Sequence, residues 1–280
     1  MAHSFEHRRG RRHGQLFGEA GDYDPCMASR QVNHETAGQI GPVEFSSGSL
    51  DSAVSRSLGI ACGERVEGGI AVHFANAYTV ALADKEPAFA ELLSRGVCYP
   101  DGMPVVWWGR RQYSNQVWER VYGPDFMEAV LAAKSPLRHY LVGGSPDTLE
   151  CLLQEISTRW PAAQIVGAES PPFRELSSAE LAAQDERIRA SGASVVWVGL
   201  GTPKQDYEVA RIASSLPVMA VAVGAAFDFI SGTKKQAPTW MQKSGTEWAF
   251  RLASEPKRLW RRYLWGNPRF VVAALRHRRG

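Results

Sequence analysis

From about residue 69 to residue 223, short unbroken apolar runs alternate with stretches in which apolar residues recur every three or four positions. The runs at 69–74, 97–99, 139–142, 164–167, 194–198 and 218–223 are rich in valine, isoleucine and aromatic residues and predict strands buried on both faces. Between them, 77–83 and 87–94 predict helix, with Phe89, Leu92 and Leu93 at helical spacing. Helices are also expected at 103–108 and 124–133. Another runs through Leu149, Leu152, Leu153 and Ile156, and one covers 178–190 with Ser178 as N-cap. Strand followed by helix, repeated in this way, predicts an α/β fold: a Rossmann-like, mostly parallel sheet with helices on both faces. Ligands of such folds gather at the carboxyl ends of the strands.

Those ends carry Asn76, Asp101, the pair Gly143 and Gly144, the loop 199–205, and residues 224–228. The loop lies in the sequence SVVWVGLGTPKQDYE, residues 194–208. Pro203 suits a first helical turn, which would turn the amides of Lys204, Gln205 and Asp206 towards a crevice as an anion cradle. An ordinary strand-to-helix turn reads equally well from this loop alone. Asp101 beside Gly102 reads likewise as a turn aspartate or as a general base.

The rest of the chain differs in texture. Residues 1–57, rich in Gly, Ser, His and Arg, read as a disordered leader, with order beginning near Leu58. Residues 58–240 form the α/β domain, and 241–280 form a basic, aromatic helical appendage. There Pro256 opens one helix, and Pro268 is expected to open a second with Pro268, Val271, Val272 and Leu275 on one side.

Charge sharpens this division. The 280 residues carry a net charge of +3, yet residues 251–280 hold nine Lys or Arg against Glu255 alone, a balance of +8. The remainder therefore sums to −5, and the tail is suited to an anionic partner. Four cysteines without CxxC or zinc spacing read as reduced thiols of a cytosolic protein. No apolar run approaches a spanning helix, and no signal segment is evident.

Several chemistries are excluded by detail. Gly199 and Gly201 lack the third glycine of a dinucleotide fingerprint, and no Walker A loop, GxSxG elbow or HExxH pair occurs. Asp22-Tyr23-Asp24 spells DxD, but without flanking strands it reads as coincidence, so no metal site is expected.

A wider set of residues falls into one order: Pro100-Asp101-Gly102; Arg120, Gly123 and Asp125; Gly143-Gly144; Gly199, Gly201, Pro203, Lys204 and Gln205; Val223-Gly224; Ala237-Pro238. It continues through Glu247, Trp248, Arg251 and Leu252, and then Glu255, Pro256, Arg258, Leu259, Arg261, Arg262 and Tyr263. Over about residues 76–263 this set resembles the WecG/TagA/CpsF family of glycosyltransferases. The resemblance implies inverting transfer of a sugar from a UDP-sugar to a polyprenyl-diphosphate-linked sugar, in cell-surface polysaccharide or teichoic-acid assembly. It also implies an enzyme that is cytoplasmic and peripheral on the inner face of the membrane, with an appendage that docks there and helps complete the active site.

On that resemblance Asp101 is the base, with Gly102 leaving room for substrate. Asn76, Gly143, Gly201, Lys204, Gln205 and Gly224 are expected on the substrate, and Arg251, Arg258, Arg261 and Arg262 are expected to reach a diphosphate, for which guanidinium is suited. For Asn76 and Gln205 capping is the plainer alternative. Asp125 reads as a helix-dipole residue and Glu247 as the partner of a basic neighbour that fixes the appendage. No cofactor is expected, an anionic membrane surface is an expected partner, and a homo-oligomer is left open. The competing reading is an α/β protein whose basic arm binds nucleic acid, which leaves the Asp-Gly pair and the 199–205 loop without a role. Two departures from the family pattern stand out: Phe74 where a hydroxyl residue is common, and Gln236 before Ala237-Pro238 where arginine is usual.

Overall fold

The computed structural model describes residues 36–62 and 68–277. Six strands form one all-parallel sheet: β3 (Ile70–Ala75), β4 (Val97–Pro100), β5 (Arg138–Gly143), β6 (Gln164–Glu169), β7 (Val195–Gly199) and β8 (Met219–Ala222), in the order β4-β3-β8-β7-β5-β6. The unbroken apolar runs are explained by the two faces. Val72, Phe74, Leu141, Val195, Trp197, Met219 and Val221 face one cluster, while Ala71, Tyr140, Val142, Val196, Val198, Ala220 and Ala222 face another, so successive residues are buried on opposite sides. Helices α1 (Leu50–Cys62), α5 (Gly123–Ala132) and α6 (Pro146–Arg159) contribute Leu58, Phe126 and Leu152 to the first cluster. Helices α7 (Ser178–Ser191) and α8 (Lys204–Ser215) contribute Ile188, Val209 and Ile212 to the second.

A third cluster lies at the β4 edge. It joins the antiparallel hairpin β1 (Thr36–Ile40) and β2 (Val43–Ser46) to α2 (Ala77–Lys85), α3 (Pro87–Ser94) and α4 (Met103–Gln112). Residues 36–57 are therefore part of the folded body and not a leader. Ile40, Val43, Phe45, Ala53 and Val54 are all buried. The polar composition concealed them because a short hairpin and one helix face need only a few apolar residues. Asp22-Tyr23-Asp24 and the rest of residues 1–35 lie outside the described residues.

Two helix boundaries differ from expectation. Ser177, not Ser178, caps α7, because its hydroxyl accepts from the Glu180 amide while Glu180 returns a bond to the Ser177 amide. After α9 (Ala226–Ile230), α10 (Thr239–Lys243) and α11 (Glu247–Ser254), a single helix α12 (Pro256–Arg276) runs straight through Pro268. An internal proline costs about 3 kcal/mol. Burying Leu259 on one side of it and Phe270 on the other returns roughly 1.5–3 kcal/mol each, so continuity wins. Val271, Val272 and Leu275, expected on one side of a helix, form its exposed face, and Phe270, Ala273 and Ala274 are buried.

Candidate active site

Parallel pairing of Ala75 with Pro100 brings the ends of β3 and β4 together, and the Asp101 amide extends the ladder by donating to the Ala75 carbonyl at 3.0 Å. Asn76 and Asp101 are thereby neighbours above the sheet. The loop after β7 and the end of β8 complete that wall, with Gly201, Gln205 and Gly224 lining a cavity of about 450 Å³. The opposite wall comes from the appendage, through Arg251 of α11 and Arg258, Leu259 and Arg262 of α12. A second cavity of about 120 Å³ lies on the other side of Asp101, and Asn76, Asp101, Arg251 and Arg262 line both.

Asp101 is held by its backbone and left open at its carboxyl group. Arg120 Nε stands 3.7 Å from Oδ1, beyond hydrogen-bond reach, and no hydrogen bond to that carboxyl group occurs among the described residues. Burial raises its pKa above the ordinary carboxylate range, opposed by Arg120, reinforced by Glu247, and opposed again by Arg251 and Arg262. Such a group can accept a proton from a substrate hydroxyl. Gly102 follows with φ +110°, a conformation that side chains disfavour, and it lines the smaller cavity.

Asn76 and Gln205 both hold local structure. Asn76 Oδ1 accepts from the amides of Tyr78 and Thr79 as the cap of α2, leaving its amide nitrogen to donate. Gln205 Oε1 accepts from the Gly201 amide at 2.9 Å, and its Nε2 donates to the Ala222 carbonyl at 3.2 Å. It thus ties the β7 loop to the end of β8 at the cavity wall.

The cradle of free amides expected there does not form. Pro203 is the N-cap and not the first helical residue, and the amides of Gln205 and Asp206 donate to the carbonyls of Gly201 and Pro203. Instead the Asp206 side chain, fully buried, meets His73 Nδ1 of β3 at 3.0 Å. That pair joins α8 to the strand that precedes Asn76.

Three of the expected contacts lie elsewhere. Gly143 is packed between strands, where an added Cβ would stand 2.6 Å from the Gly199 carbonyl oxygen. Lys204 is exposed and outside the cavity lining, and Arg261 is exposed over Trp260 and lines an outer groove. The remaining expected residues converge.

Residues 39–280 match the Glycosyl transferase WecG/TagA/CpsF family. The chain belongs to that family. This WecG/TagA/CpsF member is therefore a glycosyltransferase, and its cavity is lined by the cations Arg251, Arg258 and Arg262. Arg262 has no ion-pair partner among the described residues and lies over the Tyr78 ring at 4.5 Å, while burial, and to a lesser degree the nearby Arg251, lower its pKa. Arg258 is paired with Glu255. Among the described residues no helix is long and apolar enough to cross a membrane.

Glu247 ties the appendage to the segment between α4 and α5. Its carboxylate takes Arg120 at 2.6 Å, Arg251 at 3.1 Å and the Tyr122 hydroxyl at 3.2 Å. Pairing with a basic neighbour was legible, but which neighbour was not, because Arg120 lies 127 positions away. Tyr122, Phe229, Lys234 and Lys235 also line the cavity and were missed. Gln236, one of the two departures, is outside the lining, and Lys234 and Lys235 just before it are within it. Phe74 touches the cavity while packing on Tyr99 and Phe126, so the other departure places an aromatic edge on the floor.

Proposed function

We propose that this glycosyltransferase moves a sugar, N-acetylmannosamine or another hexose, from a UDP-sugar to a polyprenyl-diphosphate-linked sugar at the inner face of the cell membrane, with inversion. The observation that carries the reading is the position of Asp101, which lines two cavities at once beneath Arg251 and Arg262. An acceptor hydroxyl on one side gives its proton to the Asp101 carboxylate as its oxygen attacks the anomeric carbon on the other. The bond from that carbon to the UDP oxygen breaks, and the electron pair leaves on the β-phosphate. Arg251, Arg258 and Arg262, with Lys234 and Lys235 at the rim, stabilise the departing charge, so the reading needs no metal.

The outer face of α12 supports membrane docking. Trp260, Leu264, Val271 and Leu275 are exposed along it beside Arg261 and Arg276, an arrangement suited to anionic lipid at about 1 kcal/mol per cation.

The test is UDP release across a panel of UDP-sugars with a lipid-diphosphate-sugar acceptor. Asp101→Asn is expected to lower kcat by roughly 10²- to 10⁴-fold with UDP affinity kept. Full turnover by the variant would remove Asp101 from the chemistry, and inactivity of the wild type with every donor would overturn the proposed reaction.

A further inference from the structure

The cavities on either side of Asp101 differ in size and in chemistry. The larger, about 450 Å³, falls in the range of roughly 300–1,000 Å³ that holds a ligand the size of a nucleotide, and the smaller, about 120 Å³, falls well below it. Arg251, Arg258, Arg262, Lys234 and Lys235 give the larger one five cations against Asp101 and Glu255, with Arg258 on Glu255 and Lys234 between Asp228 and Glu255. In the smaller, the charge is largely spent internally, because Arg120 and Arg251 both lean on Glu247 at 2.6 and 3.1 Å. Arg262 and Asp101 also line it, and the rest of the lining is uncharged. Trp248 and Tyr263 stand with ring centroids 5.9 Å apart at 55°, and Asn267 and Gln242 supply amides beside them.

An aromatic wall with amide hydrogen-bonding groups, closed to a nucleotide by size and ending on a carboxylate, matches one sugar ring. The ring's C–H face packs on an indole, its hydroxyls bond to amides, and one hydroxyl meets the carboxylate. Trp248 is 43% exposed although it sits against Tyr263, so its ring is available to a ligand.

The geometry points to the smaller cavity as the seat of the acceptor's sugar ring, with Trp248 as its stacking platform, Asn267 as a hydrogen-bonding residue, and the donor nucleotide confined to the larger cavity. This assignment rests on the proposed transfer reaction and adds to it which side of Asp101 each substrate takes.

Steady-state kinetics of the full chain separate the two sides. The probes are a UDP-sugar that the wild type turns over and short-chain isoprenyl diphosphates carrying glucose, galactose or N-acetylglucosamine. Trp248→Ala is expected to raise the acceptor KM about tenfold or more, the equivalent of about 1.4 kcal/mol of lost contact, while the donor KM and the UDP affinity measured by calorimetry stay within about twofold. Trp248→Phe, which keeps a stacking face, should recover most of the loss. Asn267→Ala changes an exposed residue and provides a second reading if Trp248→Ala folds poorly; its acceptor KM should rise severalfold, again without a donor effect. A rise confined to the donor KM, or an acceptor KM that neither variant moves, overturns the assignment while leaving the reaction itself standing. A wild type that turns over no donor removes the reaction and the assignment together.

Discussion

Asp101, Gly201 and Gly224 stand at the ends of strands whose residues are almost wholly buried, whereas Arg251, Arg258 and Arg262 stand on helices with little core beneath them. Helices α10 and α11 bury no residue, and α12 buries only Leu259, Gly266, Phe270, Ala273 and Ala274. The strand-end wall is positioned by packing and backbone pairing, and the appendage wall by ions. Glu247 gathers Arg120 and Arg251, and Asp84 of α2 receives Arg269 and Arg276 of α12. The consequence is a division of labour. The proposed base is fixed on the stiffest part of the molecule, while the cations meant for a charged substrate are carried on elements with low local stability, where opening costs least.

Breaking the strand-end wall should therefore unfold the body. The largest effect is expected from Gly143→Ala. At φ +127° the new side chain is strained, by about 1–3 kcal/mol. Its Cβ would also stand 2.6 Å from the Gly199 carbonyl oxygen on the adjacent strand, an overpacking cost of about 1–3 kcal/mol. The sum, about 4 kcal/mol, corresponds to a fall in Tm of roughly 8–16 °C. A melt within two or three degrees of wild type would show that the β5–β7 junction yields more easily than its packing indicates.

Acid should act on the same sheet, at the other end of β5, somewhat less strongly. His139 of β5 is buried, stacked on Trp197, and accepts the Trp197 Nε1 hydrogen at its Nδ1, 3.2 Å away. Burial lowers its pKa from 6.5 to about 4. The unfolded chain thus binds a proton that the folded one refuses, and stability is intact above pH 6.5 and declines as pH falls towards 4. The full loss is on the order of 3 kcal/mol. Asp101, whose pKa is raised, works in the opposite sense, since protonating it relieves a buried charge. Urea unfolding at several pH values is expected to show a decline that His139→Gln flattens, because glutamine accepts the indole hydrogen and cannot charge. Equal slopes for wild type and variant would place the acid sensitivity elsewhere.

This contrast also explains what could be read from the sequence. Strands β3, β4, β5, β7 and β8 were legible because burial on both faces writes continuous apolar runs, and Asp101, Asn76 and Gly224 were legible as strand-end residues of such a sheet. The hairpin β1–β2 was hidden because its few core residues lie within polar sequence. The arginines were legible as a basic tail, but their distribution was not. Whether a helical cation faces the cavity, as Arg262 does, or solvent, as Arg261 does, is set by how α12 rotates on α2. Gly266, where an added Cβ would stand 3.1 Å from the Tyr78 ring, fixes that rotation through a contact 188 positions apart. Glu247 and Arg120 are subject to the same limit, as are His73 and Asp206: long-range pairs of polar residues leave no periodic trace.

The appendage wall should respond to a smaller perturbation and in a different observable. Asp84 is nearly inaccessible, with Arg276 Nη1 and Arg269 Nη2 each 3.1 Å from one of its oxygens, the latter as an ion pair without an aligned hydrogen bond. Removing one partner of a fully buried pair costs about 3–5 kcal/mol because a charge is stranded. Here Asp84→Ala strands guanidiniums that are 34% and 60% exposed, which water can rehydrate, so a loss of about 1–2 kcal/mol is expected. That loss should fall on the docking of α12 and leave the sheet alone. Limited proteolysis should cut within α12 severalfold faster, the main thermal transition should move by only a few degrees, and the donor KM should rise because Arg258 and Arg262 ride on the loosened helix. If the main transition falls as far as in Gly143→Ala while α12 is cut no faster, the appendage is part of the same cooperative unit as the sheet, and the two walls do not differ in the way their packing indicates.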